Sequence, residues 1–270
     1  MTLTEIFPDE EYRFTLRFGR GEPAAFFAAT GHHAEVLAQR RHSLRIEPNT
    51  YAALLPEGVE LLEETADLAR EWNGFTPESE VEFPWEECLE LGKFWEADYL
   101  LLKCEAGGEI RLCGGCLCFP SSWRLSDKVG KPIEAIHAGV PGLNDSIGPA
   151  IHKFLAGLKP GVAWLRHNWG LSRSPELNQH PDRGLPRLDK KVQADEVWLR
   201  VERHALVALP QSKGILFGIR IENHSLREVK ADAVAARRLV HALETMPEEM
   251  ARYKNLADAR ATLIRLLAGP

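Results

Sequence analysis

The chain has 270 residues, of which 44% are hydrophobic and 27% charged, the make-up of a soluble globular protein of one large domain or two small ones. A formal net charge of −6, from 33 basic and 39 acidic side chains, argues against nucleic-acid binding, which draws its affinity from a basic excess. No apolar run reaches the ~18–20 residues of a membrane-spanning helix, and the first residues lack the apolar core of a secretory signal. The five cysteines are odd in number and mostly gathered in one hairpin, unlike a secreted disulfide framework, so a cytoplasmic address is expected.

Helical signals dominate the first 95 residues. Pro23 to Gln39 reads as a helix, with Gly31 and His32-His33 as its weak point. The short basic pair Arg40-Arg41 reads as solvated helix surface, as does Arg237-Arg238 later in the chain. Glu57 to Trp72 places Val59, Leu62, Ala66, Ala69 and Trp72 near helical spacing, with Pro56 just before it. From Ala97 the pattern changes to a hairpin, with strands at Tyr99–Cys104 and Ile110–Phe119 about a Gly-rich turn. Trp123 to Val129 has room for one or two helical turns, and Lys131 to Asn144, with two prolines and two glycines, reads as an ordered irregular loop.

Ile147 to Leu158 reads as a helix, and strand signals follow at Val162–His167, Val197–Val201 and Ile215–Ile221. The polar stretch Asn168 to Asp195 between the first two is long enough to be functional or mobile. Helices close the chain, over Val229–Glu244 and Asn255–Leu267. Helices, then antiparallel strands, then helices predict an α+β fold. Without a repeat or linker, the chain reads as a single domain with a helical part over 1–95, a sheet core over 96–225 and C-terminal helices over 226–270. No dinucleotide-binding or phosphate-binding glycine loop occurs, and no nucleophile elbow or zinc-protease helix, so nucleotide enzymes and hydrolases lack a motif.

Several constellations can carry chemistry. Cys113, Cys116 and Cys118, with Cys104 across the hairpin, have spacing that could hold a metal; alternation puts Cys116 and Cys118 on one face and Cys113 on the other, which favours packing. His137, on a loop stiffened by Pro141 and Gly142, is either an axial ligand to haem iron or a hydrogen-bonded loop residue. Arg166-His167-Asn168-Trp169 could bind an anionic group such as a haem propionate, or end a strand with Trp169 as a core plug. Arg200 to His204 and Leu216 to Arg220 form a second hairpin, in which Glu202 and Arg220 could be a cross-strand ion pair or face bound dioxygen.

Read in order, three blocks resemble one family. The first runs through Cys118-Phe-Pro-Ser-Ser-Trp123-Arg124-Leu125, Lys128-Val-Gly-Lys-Pro-Ile133 and Ile136-His137-Ala138 to Val140-Pro-Gly142; the second is Arg166 with Asn168-Trp169. The third joins Arg200-Val-Glu202-Arg203, Leu209-Pro210, Gly214-Ile-Leu-Phe217 and Ile219-Arg220. Together they resemble the alpha subunit of haem-dependent oxidative N-demethylase, densely from Cys104 to Arg220. The resemblance implies a PAS-type sheet holding haem b, where a small secondary amine is oxidised with dioxygen to an imine that hydrolyses. It also implies electrons from separate flavin and iron–sulfur subunits. On it, His137 is the expected iron ligand, with His167, His204 and His224 next in line. Arg166, Asn168, Trp169, Trp123 and Arg124 are the expected haem contacts, and Arg220 and Glu202 the catalytic candidates. Gly139, His204 and the segment from Ile221 to His224 depart from the family pattern, which bears on the substrate. A haem-binding sensor or carrier on the same scaffold is the alternative, and a haem-free cysteine metalloprotein a third reading.

Overall fold

The run from Tyr99 to Lys103 sends alternate side chains into two different layers, and that alternation organises the molecule. In the computed structural model, which describes residues 2–269, seven strands form one antiparallel sheet. They are β1 (Gly19–Gly21), β2 (Ala52–Leu54), β3 (Asp98–Cys104), β4 (Ile110–Cys116), β5 (Ala163–Ser172), β6 (Trp198–Leu209) and β7 (Gly214–Ser225), in the order β1-β5-β6-β7-β3-β4-β2.

Helices cover the sheet in three groups. The first is N-terminal: α1 (Leu3–Ile6), α2 (Pro23–Phe27), α3 (His33–Ile46), α4 (Pro48–Tyr51), α5 (Val59–Asn73) and α6 (Pro84–Phe94). The crossover from β4 to β5 carries α7 (Ile133–His137) and α8 (Leu143–Ala156). The chain closes with α9 (Leu226–Ala231), α10 (Ala233–Thr245), α11 (Glu248–Tyr253) and α12 (Arg260–Ala268). No helix among the described residues is long and apolar enough to cross a membrane. The α+β expectation holds.

Each sheet face has its own core. Leu62, Ala66 and Ala69 of α5, at the spacing the sequence predicts, and Leu61 beside them bury against Leu101, Val207 and Leu216 together with α2, α3 and α6. On the opposite face Leu100, Leu102, Leu112 and Ile219 meet Ile133 of α7 and Ile151 and Leu155 of α8. A third core joins Leu199 and Val201 of β6 to Leu226, Leu239 and Leu263 of the C-terminal helices.

The expected helix from Pro23 to Gln39 is two helices. Glu96 explains the break, because its carboxylate accepts hydrogen bonds from Thr30 N (2.6 Å) and Thr30 Oγ1 (2.9 Å) and pairs with His33 Nδ1 at 2.8 Å. Asp232 likewise divides the expected helix Val229–Glu244, since its carboxylate caps α10 by accepting from Val234 N and Ala235 N. The last helix starts at Arg260 rather than Asn255, which has a positive φ of 57°. Trp123 to Val129 makes turns instead of helix, and the irregular loop from Lys131 contains the short α7.

The cysteine prediction fails at a bulge. Leu102 pairs with Leu112 and Leu101 with Gly114, so Cys113 is the extra residue and every later side chain of β4 changes face. Cys113, Cys116 and Cys118 therefore all lie in the α5-side core. Beside the bulge, Gly115 takes a φ of 133°, and a Cβ there would stand 2.1 Å from the Tyr99 carbonyl.

Arg40 is not solvated surface. It is fully buried, donating to Asp98 Oδ1 at 2.5 Å and to the Gly92 carbonyl at 2.7 Å. Asp98 also accepts from Cys118 N (2.6 Å) and Phe119 N (3.0 Å). Burial pushes the Asp98 carboxyl pKa up, and these three donors oppose that push. The pair fastens α3 to β3 and to the exit of β4. Of the neighbouring bases, Arg41 and Arg237 are exposed, whereas Arg238 is half-buried and donates to the carbonyls of Thr4 and Phe7.

Removing one partner leaves an uncompensated buried charge, so Arg40→Met is expected to lower unfolding free energy by about 3–5 kcal/mol in urea titrations. A loss under about 1 kcal/mol would contradict this role.

Candidate functional site

Between the sheet and the α7–α8 crossover lies a cavity of about 980 Å³, near the top of the ~300–1,000 Å³ range of ligand pockets. Its wall is mostly apolar, with Leu100, Leu102, Leu112, Leu206, Phe217 and Ile219 from the sheet and Ile133, Ile151 and Leu155 from the crossover. Residues 4–18 and parts of α10 and α11 complete the boundary.

The polar part of the wall follows from strand register. Arg166 pairs with His204 and Asn168 with Glu202, so alternation sends all four side chains to the same face. Asn168 Nδ2 donates to Glu202 Oε2 at 3.2 Å, and His204 Nε2 lies 3.4 Å from the same oxygen. Burial works against the Glu202 anion, but hydrogen bonds from His204 and Ser121 and the charge of Arg200 outweigh it and hold the carboxyl well below its usual range. Burial lowers the His204 pKa, which favours the neutral ring, and its Nδ1 is buried without a partner among the described residues. Arg200 braces the wall by donating to Ser121 Oγ (2.6 Å) and to the carbonyls of Phe119 and Leu177 (2.8 Å each).

His137 reaches the cavity from the C-terminal end of α7. Pro132 opens that helix and Val140 N closes the turn by donating to the His137 carbonyl at 2.8 Å. The ring is half-buried and makes no hydrogen bond among the described residues. Burial, assisted by the charges of Lys128 and Arg166, depresses its pKa to about 4. A neutral imidazole with a free lone pair on an apolar wall can ligate a metal.

Other predicted residues divide. Trp123 borders the cavity, with Lys128 Nζ 4.6 Å from its ring centre. Trp169 sits at the rim and packs edge-on against Phe7 at 5.2 Å. Arg124 points elsewhere and pairs with Asp182. Arg220 lies on the opposite sheet face, bound to Glu96 at 2.8 Å, to the Phe26 carbonyl at 2.7 Å and to the Ala28 carbonyl. The expected Glu202–Arg220 pair does not form, because Glu202 is opposite Ile221 and Arg220 opposite Arg203, which binds Glu222 at 2.9 Å. His167 places Nε2 at 3.0 Å from the Ile6 carbonyl. No group of three or more His, Cys, Asp or Glu side chains among the described residues is arranged to hold a metal ion.

Sequence reasoning missed Lys254 as a cavity residue, and passed over Lys128, Arg200 and Ser121 within the blocks that carry the resemblance. Arg200 sits two positions before Glu202, so strand alternation could have found it. Lys254 carries no local signal. It comes from the end of α11, donates to the Trp169 carbonyl at 2.7 Å, and has its pKa lowered to about 8 by burial.

A family model described as haem-dependent oxidative N-demethylase, alpha subunit-like, matches residues 68–264. The matched span runs from α5 to α12 and contains the α7–α8 crossover, β5, β6, β7 and Lys254.

The ordinary lysine pKa is 10.5 and that of folded Lys254 is about 8, so between these values the unfolded chain retains a proton that the folded protein has released. Stability therefore rises with pH across that window, and the cost of burying the charged amine is fully present below it. The stability of the ligand-free protein minus that of Lys254→Met is expected to climb from pH 7 to 10. A difference that stays flat in pH-resolved denaturation would contradict this burial.

Proposed function

The chain belongs to the haem-dependent oxidative N-demethylase alpha subunit-like family, and on that premise we propose that its cavity holds haem b and oxidises a small secondary amine with dioxygen. The observation that carries the reading is the His137 ring, neutral and unpartnered on the wall of a large apolar cavity. The residues present fit such a group: apolar side chains would suit a flat macrocycle, His137 would hold its iron, and Arg166 would receive an acidic side chain of the cofactor. The five adjacent strands β4-β3-β7-β6-β5, with helices in the one long crossover, support a PAS-type reading of the sheet.

Haem, when bound, supplies the dioxygen and redox chemistry. The chain's own groups bind and orient. A secondary amine is an ammonium ion near neutral pH, and Glu202, kept ionised, is the half-buried sheet carboxylate on the cavity wall able to receive its N–H. With so low a proton affinity, Glu202 binds the cation without deprotonating it. His204, neutral and with Nδ1 free, is suited to accept the proton that the amine must lose before oxidation. Asn168 fixes the carboxylate for both tasks. Apolar walls exclude water from the reacting nitrogen. The words "alpha subunit" in the family description support separate subunits as electron donors, with flavin and iron–sulfur centres the proposed carriers.

The test is oxygen consumption and aldehyde release by the haem-loaded chain with dimethylamine and an artificial reductant. Glu202→Gln is expected to raise KM for the amine about tenfold or more, the worth of a hydrogen bond to a charged group. An unchanged KM would remove Glu202 from the site. Haem binding with no amine turnover would favour a sensor or carrier instead.

A further inference from the structure

The ionisable side chains bordering the cavity do not balance. Arg166, Lys128, Lys254 and Arg200 share it with one half-buried sheet carboxylate, Glu202. Arg200 is near enough to Glu202 for their charges to offset each other. The N-terminal segment brings further acids to the boundary, but Asp9 faces Arg238 at 3.7 Å, Glu10 binds Arg13 and Arg17, and Glu5 and Glu11 are exposed. Positive charge is left over.

The three remaining cations are held differently. Lys128 lies over the Trp123 ring, an arrangement that compensates part of its desolvation. Lys254 has the Trp169 carbonyl at 2.7 Å and the Trp169 ring centre at 5.3 Å, but no carboxylate. Arg166 makes no hydrogen bond or ion pair among the described residues, although it is buried deeply enough to lower its pKa. A guanidinium presents five N–H donors in a planar fork, and those of half-buried Arg166 open onto the cavity with no acceptor among the described residues. Such a group is stable where a ligand supplies the acceptor. Arg166 and Lys254 are also within electrostatic range of each other and of Glu202, although one is on β5 and the other ends α11.

We propose that Arg166 and Lys254 form the acidic-ligand end of the cavity, each receiving one carboxylate of a ligand that joins two carboxylates to a large apolar body. This rests on the haem reading above and adds the anchor for the two acidic side chains of haem b. It also makes the C-terminal helices part of the binding site, because Lys254 reaches the cavity only through the packing of α11 against the β5 end of the sheet. Glu202 is thereby left free for a cationic substrate, so the two ligands meet opposite charges within one chamber.

The test compares haem with haem dimethyl ester, whose carboxylates are masked, in titrations of the ligand-free full-length chain followed by Soret absorption and tryptophan quenching. Wild type is expected to bind free haem about a hundredfold more tightly than the diester, as two hydrogen-bonded charges imply. Arg166→Met and Lys254→Met should each remove about tenfold of that preference, with diester affinity and band positions unchanged. The wild-type comparison needs no variant, so a misfolded substitution does not blunt it. Equal wild-type affinity for haem and diester would overturn this proposal and leave the haem reading standing. A preference untouched by both substitutions would overturn the assignment to Arg166 and Lys254. Binding of neither porphyrin would overturn the haem reading and this proposal together.

Discussion

The pairing register of β5 against β6 is the constraint on which the site depends. Because successive side chains of a strand face opposite ways, a slip of β5 by one residue would turn Arg166 and Asn168 away from the face that carries Glu202 and His204 and put His167 and Trp169 in their place. Burial of Val201 and Leu199 against the C-terminal helices, and of Leu206 against the crossover, locks the register from both faces. Arg200 adds a polar lock, because its donors hold the Phe119 and Leu177 carbonyls and thus two irregular segments against the same strand. Packing energy on either side of the sheet is in this way converted into the position of a carboxylate.

The chamber so formed separates its tasks by chemistry. Apolar side chains from four strands and two helices give volume; a neutral imidazole at the end of α7 offers a lone pair; a carboxylate held ionised by its neighbours offers negative charge. Charge is placed by what surrounds it: Glu202 keeps its proton off because donors converge on it, whereas Lys254 and Arg166 lose proton affinity because burial outweighs the pull of Glu202. The far face of the sheet carries a different economy of charge, in which Arg40, Asp98, Glu96 and Arg220 are tied to one another or to backbone groups and brace the N-terminal helices.

Much of this was legible in the sequence, for physical reasons that differ by residue. The helix of Val59–Asn73 and the β3–β4 and β6–β7 hairpins announce themselves through local periodicity, and His137, Asn168, Arg166 and Glu202 through short blocks that resemble a family. What failed depended on distant partners. Arg40 looks like surface until Asp98, 58 residues away, is folded beside it. The break after Phe27 is enforced by Glu96, and the same carboxylate takes Arg220 away from the cavity. That Cys116 shares a face with Cys113 depends on a bulge that shows only in the pairing with β3. Lys254 belongs to the site through tertiary packing alone, so no spacing rule could have found it.

The central claim is that His137 presents its ring to haem iron within this cavity. It is tested most directly by the absorption spectrum of the haem-loaded protein beside that of His137→Ala, each measured with and without added imidazole. The account predicts an intense Soret band in the parent, a shifted or weakened band in the variant, and its return towards the parent position when imidazole is added. A variant band identical to that of the parent would contradict the assignment and move the iron to another ligand.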